Sequence, residues 1–372
     1  MSVPAPRRLP ELEGLRGLLS WWVVVCHALQ QAGYTEAGLG RGFRVLIHGD
    51  YAVDVFILLS GFVIHKLWHD AREPYPIFIT RRFLRLWPAY AACLLGSLAV
   101  RPCIAMILAH SPLGDPAAGA EHLAALRQNW QYEEDHFSAH LLAHVPMLQS
   151  AIPETILPRS SVALLGPAWS ISLEWQFYLV APLLFLFLEK GRGPAWLIFG
   201  GLAGAGWLLR FSPPLSVWFP MEAFLPQKLL LFGVGIASHE IWRAVHGSGG
   251  QIAPALLGLA ALVLFITLSI PFALWLAALA AAFASSGWLK SLLNATPFQV
   301  LGRVSYSTYL GHMLVFWGLQ PLIFRALPAV TSPQMLIALL VIGAPLVLIF
   351  SLAVHRWVET PAIQFGRRLS YR

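Results

Sequence analysis

Apolar residues in this chain come in blocks of roughly the 20 residues a helix needs to cross a hydrocarbon layer, separated by short polar or charged stretches. The pattern predicts ten such helices, at 14–31, 51–68, 83–106, 169–188, 194–211, 222–242, 253–270, 272–288, 304–325 and 334–357. A further apolar stretch, 139–150, is short and carries His140 and His144.

Composition points the same way. The 372 residues are 57% hydrophobic and 12% charged, about half the charged share of a soluble domain, and no soluble fold can hide that much apolar surface. The net charge of +7 does not indicate nucleic acid, because Lys and Arg sit in short clusters between apolar runs, the pattern of topogenic loops. Lys66, Arg72, Arg81, Arg82 and Arg85 follow the second block, and Lys190 and Arg192 follow the fourth. The long segment 110–168 instead carries Asp115, Glu121, Glu133, Glu134 and Asp135 against Arg127 and Arg159. With basic loops inside, both termini are cytoplasmic, 110–168 is outside, and 139–150 is a surface or re-entrant segment. Arg243, Lys290, Arg303, Arg356, Arg367, Arg368 and Arg372 then also fall inside.

The expected fold is an all-α polytopic bundle of about ten transmembrane helices, a single membrane domain over 1–372 with no appended soluble domain. Arg7 and Arg8 precede an apolar run as in a signal peptide, but Glu11, Glu13 and Arg16 intervene and no small-x-small cleavage site follows, so the first span is read as uncleaved. Cys26, Cys93 and Cys103 lack metal-ligand spacing and read as packing residues. Gly247–Gly250 reads as a flexible hinge, and Gly200 and Gly204 as ordinary helix packing.

Polar residues inside such helices are costly and mark chemistry. Arg16 and His27 lie in the first span, and eleven residues at about 100° each return His27 to within about 20° of Arg16, roughly 16 Å further along. His27 is placed to act as general base on a hydroxyl. Arg82 and Arg85, three apart after Arg81, form a two-pronged cationic site suited to phosphate, or else serve topology and lipid headgroups. Asp54 interrupts the second span and needs a partner, for which Arg16 or His27 is the expected one; it either orients a histidine or neutralises an arginine. Ser170, Glu174 and Tyr178 make a polar stripe on the fourth span, Glu174 serving acid/base work, acceptor binding or a structural ion pair. Hydroxyls cluster with His312 in Ser305-Tyr306-Ser307-Thr308-Tyr309, lining a cavity or bonding helices together. His65 and Asp70 match the His-x4-Asp spacing of glycerolipid acyltransferases, a match discounted because the surrounding α/β domain of that family is missing.

Taken in order, these segments resemble the acyltransferase-3 family of bacterial membrane O-acyltransferases. The resemblance rests on Arg16-x10-His27, Tyr51–Ile64 against a G-V-D-hydrophobic-S-G-F segment, Arg82-x-x-Arg85, Trp169–Tyr178 against W-S-x-S-x-E-x-x-F-Y, Leu301–His312 against I-S-Y-S-x-Y-L-x-H, and Arg356–Ala362 against R-x-x-E-x-P-A. Ala52 stands where that family usually has Gly, and Gly311 replaces a bulky residue before His312, changes that would reshape the pocket. The chain ends at Arg372 without the esterase-like domain some members carry.

The resemblance implies transfer of an acyl group, most often acetyl from acetyl-CoA, to a hydroxyl of a sugar, glycan or glycolipid at the bacterial cytoplasmic membrane. Catalytic roles then fall to His27, Arg16, Asp54 and Glu174, donor contacts to Arg81, Arg82 and Arg85, and acceptor contacts to Ser170, Tyr178, Tyr309 and His312, with no metal. A macrolide-like or lipo-oligosaccharide acceptor keeps the chemistry, while a proton-coupled transporter would use the same buried charges differently.

Overall fold

A computed structural model describes residues 9–110, 116–246 and 269–369. Among them every regular element is helical. In chain order these are α1 (Pro10–Gln31), α2 (Gly49–Ala71), α3 (Tyr75–Ala109), α4 (Pro116–Asp135), α5 (Phe137–His144), α6 (Trp169–Leu209), α7 (Leu215–Trp218), α8 (Leu225–Val245), α9 (Ile270–Phe283), α10 (Trp288–Asn294), α11 (Thr296–Ala326) and α12 (Ser332–Arg368). Most of the span expected at 253–270, the hinge at Gly247–Gly250, and Arg7, Arg8, Asp115 and Arg372 lie outside the described residues.

Helix starts follow local chemistry. Pro10 at the first turn of α1 gives up an amide that the helix would leave unpaired, and Glu11 and Glu13 there suit the positive end of the dipole. Glu11 then reaches Lys290 at 3.1 Å and Asn294 at 3.1 Å, tying the start of α1 to α10.

Among the described residues four helical stretches are long and apolar enough to cross a membrane: Gly49–Ala71, Tyr75–Ala109, Gly166–Gly191 and Ser332–Arg368. The pair α9 and α10, bent by 91°, brings the number to five only when counted as one broken span; such a bend also fits a re-entrant loop. At 22, 21 and 31 residues, α1, α8 and α11 have the length, but buried polar residues such as Lys228, His239 and Glu240 on α8 and Ser305, Ser307 and His312 on α11 interrupt their apolar sequence. Those residues face other helices. Lipid-facing apolar residues show instead on α6 and α12, where Leu197, Leu202, Ile337, Val341 and Ile349 are exposed.

The Gly166–Gly191 stretch is followed at once by Gly193–Leu209, and the chain reverses between them: Gln176 to Phe185 run alongside α8 from Leu225 toward His239, whereas Phe199 and Gly206 meet Gly233 and Pro226 in the opposite sense. One expectation changes. Gly200 and Gly204 do not pack: a Cβ at either would meet nothing within 4 Å. The close approaches lie elsewhere. A side chain at Gly17 or Gly302 would collide with the facing backbone of α11 or α1, and one at Gly61 or Gly235 with the facing carbonyl of α8 or α2. These glycines let two helix pairs meet backbone to backbone.

The stretch 139–150 holds most of the 8-residue α5, about 12 Å long, and the start of a 3-residue turn at Gln149–Ala151, and neither can cross a bilayer. His140 and His144 are buried there, and burial pushes both down to about 4, so they sit as neutral imidazoles.

Candidate functional site

Three cavities follow one another through the bundle and share walls. The first, about 700 Å³, is lined by Leu9, by Pro10, Leu12, Glu13 and Arg16 of α1, Lys66 and Asp70 of α2, Arg85 of α3, Arg303 of α11, and His355 and Arg367 of α12. The start of α1 and the end of α12 therefore lie at the same end of the bundle. The second, about 220 Å³, shares Arg16, Leu59, Val63 and Arg85 with the first and adds Ser60, Arg82, Ser170, Glu174, Tyr178, Ser305 and Tyr309. The third, about 330 Å³, shares Val53 and Tyr309 with the second and is lined by His27, Gln30, Asp50, Trp169, Met313 and Trp317.

Because α1 and α11 touch at Gly17 and Gly302, polar residues beside that contact and nearly three turns beyond it meet across the seam. Arg16 Nε donates to Ser305 Oγ at 3.3 Å. Further along, His27 Nδ1 stands 2.9 Å from His312 Nε2 and 3.1 Å from the Val23 carbonyl. His312 Nδ1 is 3.1 Å from the Thr308 carbonyl, which can only accept, so His312 carries its proton on Nδ1. Its Nε2 then accepts from His27 Nδ1–H, and this network assigns the remaining lone pair to His27 Nε2. Among the described residues that nitrogen has no hydrogen-bond partner, and its ring borders the third cavity. A neutral imidazole with a free lone pair at a cavity wall is the arrangement a general base requires.

In the central cavity Glu174 accepts from Ser60 Oγ at 3.2 Å and from the Tyr178 hydroxyl. Ser170 Oγ donates to Tyr309 at 2.8 Å. Arg82 borders the same space, and its buried Nε–H has no partner among the described residues. Arg85 is committed: its Nη1 lies 2.7 Å from Glu359, which also takes hydrogen bonds from Ser307 at 3.0 Å and His355 at 3.0 Å. Arg81 lies outside the three cavities, bonded to Glu73 and to the backbone of Gly366 and Leu369 at the end of α12.

Asp54 corrects the sequence expectation. Its partner is Lys228 of α8, at 3.0 Å, and neither Arg16 nor His27. Lys228 is shared with Glu222 at 2.9 Å. On α2, Asp54 points to the face that packs on α8, away from α1. The space expected from Gly311 is also taken, because the Phe350 ring occupies the place where a Cβ would stand. His65 and Asp70 have separate partners, His239 and Lys66 respectively.

Sequence reasoning missed Lys228 and the buried role of Glu359. Lys228 was legible, since it is an ionisable residue inside an apolar run, the same signal that marked Asp54. Glu359 stood in a quoted motif, but nothing local ties it to a residue 274 positions away.

A family model described as an acyltransferase domain matches residues 9–356. Acyltransferase MdmB from Streptomyces mycarofaciens is 28% identical over 340 residues, covering 84% of this chain and 80% of that protein. Protein 2 in picA locus, from Rhizobium radiobacter, is 32% identical over 120 residues, 31% of this chain and 57% of that protein. No solved structure matches.

Proposed function

This chain belongs to the acyltransferase-3 family, and on that premise we propose that it moves an acetyl group from cytoplasmic acetyl-CoA to a hydroxyl of an envelope sugar, glycan or glycolipid. It is a multi-pass membrane protein with several apolar helices. The proposed topology keeps ten spans, with both termini and the 700 Å³ cavity on the cytoplasmic side of the bacterial inner membrane and 110–168 outside. The reading treats the whole chain as one membrane domain.

The observation that carries it is the row of three cavities that share wall residues, cationic at one end and bordered by His27 at the other. Arg16, Arg303 and Arg367 at the wide mouth suit the phosphates of a nucleotide thioester. The pantetheine arm then occupies the narrow central cavity, with Arg82 supplying its free N–H. The acceptor enters the third cavity, whose Trp169 and Trp317 faces with Asp50 and Gln30 combine apolar surface and a few polar groups, as ligand pockets do.

His27 Nε2 takes the proton of the acceptor hydroxyl as its oxygen attacks the thioester carbonyl. His312 Nε2, accepting from His27 Nδ1–H, steadies the imidazolium so formed. Collapse of the tetrahedral intermediate breaks the carbon–sulfur bond, and the proton on His27 goes to the departing thiolate. Holding donor and acceptor in one connected space lowers the entropic part of the barrier. Arg16 and Glu174, with Ser170, Tyr178 and Tyr309, shape the passage between them.

The test is acceptor-dependent release of free thiol from acetyl-CoA by the purified protein, together with mass spectrometry of envelope glycans with and without it. Thiol release and a gain of one acetyl mass are expected. A protein that consumes no thioester but carries solute or protons across vesicles would overturn the reading, because the same row of cavities would then be a permeation path.

A further inference from the structure

Away from the three cavities, α2 and α8 bury a second group of ionisable side chains that the acyl-transfer scheme does not use. His65 and His69, four apart, stand on one face of α2, and Glu240 faces them from α8. His65 Nε2 lies 3.1 Å from His69 Nε2 and 3.7 Å from Glu240 Oε1, and His69 Nε2 lies 3.6 Å from the same oxygen. A zinc ion bound at about 2.0–2.1 Å by tetrahedrally arranged ligands holds neighbouring ligand atoms roughly 3.3 Å apart. The three atoms thus already stand close to the edges of such a tetrahedron.

Their surroundings agree. His65 binding through Nε2 must carry its proton on Nδ1, and that atom has an acceptor ready in His239 Nδ1 at 3.0 Å. Ligating histidines commonly have such a partner, and it fixes their tautomer. Arg243 Nη1 stands 2.7 Å from Glu240 Oε1 and 3.2 Å from His69 Nε2, so the ligand atoms already face a positive charge. The Arg243 side chain is 17% exposed, against 2% for His65 and 4% for Glu240, which places it at the rim, where a long side chain can swing aside. Two imidazoles and one carboxylate suit a borderline divalent ion.

We propose that His65, His69 and Glu240 bind one zinc ion, which clamps α2 to α8 with its fourth position open. Arg243 holds the place of the cation when the ion is absent. The proposal does not depend on the acyl-transfer reading, and its test measures metal rather than turnover.

Full-length protein in mild detergent is stripped with a chelator, loaded with Zn²⁺, passed through gel filtration and analysed for metal. Loading with Co²⁺ reports the geometry through its visible absorption. Wild type is expected to retain about one zinc per chain and to give the strong absorption of tetrahedral Co²⁺. Glu240→Gln and His69→Ala should lose the ion while eluting as wild type does, and His239→Ala should weaken binding ~10- to 100-fold. Failure of wild type to retain zinc, or equal retention by wild type and Glu240→Gln, overturns the site. Glu240→Gln keeps the side-chain volume, so the comparison survives even where His69→Ala does not fold.

Discussion

Two pairs of helices meet through glycines, and the polar groups beside those contacts fare differently. Where α1 meets α11, Gly17 and Gly302 bring the backbones together, and the seam opens on cavities with a free His27 Nε2 at its far end. Where α2 meets α8, Gly61 and Gly235 do the same, but the charges there close on one another: Asp54 and Glu222 on Lys228, Glu240 on Arg243. A buried charge with its partners in place is committed to holding helices together. A polar atom without a partner, at the wall of a space, is available to a substrate. Arg82 and Arg85 repeat the contrast within one turn of α3, since Arg85 is closed on Glu359 while the Arg82 Nε–H is unpartnered.

The sharpest way to break this contrast is at His27. His27→Ala should lower turnover ~10²- to 10⁴-fold, the usual weight of a general base, with unchanged elution and helical content. Retention of a third of the activity would remove His27 from that role and favour Glu174. His312→Ala should cost less and displace the pH profile of turnover, because it alters the tautomer of His27 without removing the base.

Next comes the arginine pair. Arg82→Gln should weaken acyl-CoA binding ~10- to 100-fold, the loss of one charge-assisted hydrogen bond at about 1.4 kcal/mol per decade, with melting little changed. Arg85→Gln should instead lower the melting temperature in detergent, because it strands the buried Glu359 carboxylate. If both variants behaved alike in donor titration and melting, the distinction between open and closed cations would fail.

A smaller effect is expected at Asp54. Asp54→Asn removes one of the two carboxylates beside Lys228 and should destabilise the protein by about 1–3 kcal/mol, while turnover per folded molecule stays within about threefold of wild type. A loss as large as that of His27→Ala would return Asp54 to the reacting groups. A last test separates packed from unpacked glycines. Gly204→Leu should leave melting and turnover unchanged, whereas Gly235→Leu, facing the Leu58 carbonyl, should prevent assembly; equal behaviour would dissolve the seam argument.

Much of this was written locally. The apolar blocks gave the helical class and most helix positions, and six motifs in order gave the family. Arg16 and His27 share a face because helical periodicity alone requires it. The chain reversal at Lys190-Gly191-Arg192 was legible too, because its basic and glycine residues interrupt the apolar run.

What the sequence determined by itself is therefore the set of helices, their apolar character and the residues each helix presents along a given face, all properties of spacing within a few turns. The tertiary structure alone decided which of those faces meet. That Asp54 pairs with Lys228 and not with Arg16, that His312 supports His27 from 285 residues away, and that Arg85 is closed by Glu359 depend on the offset and rotation between helices. Side chains at the glycine contacts would forbid those offsets, and no periodicity within a single helix encodes them.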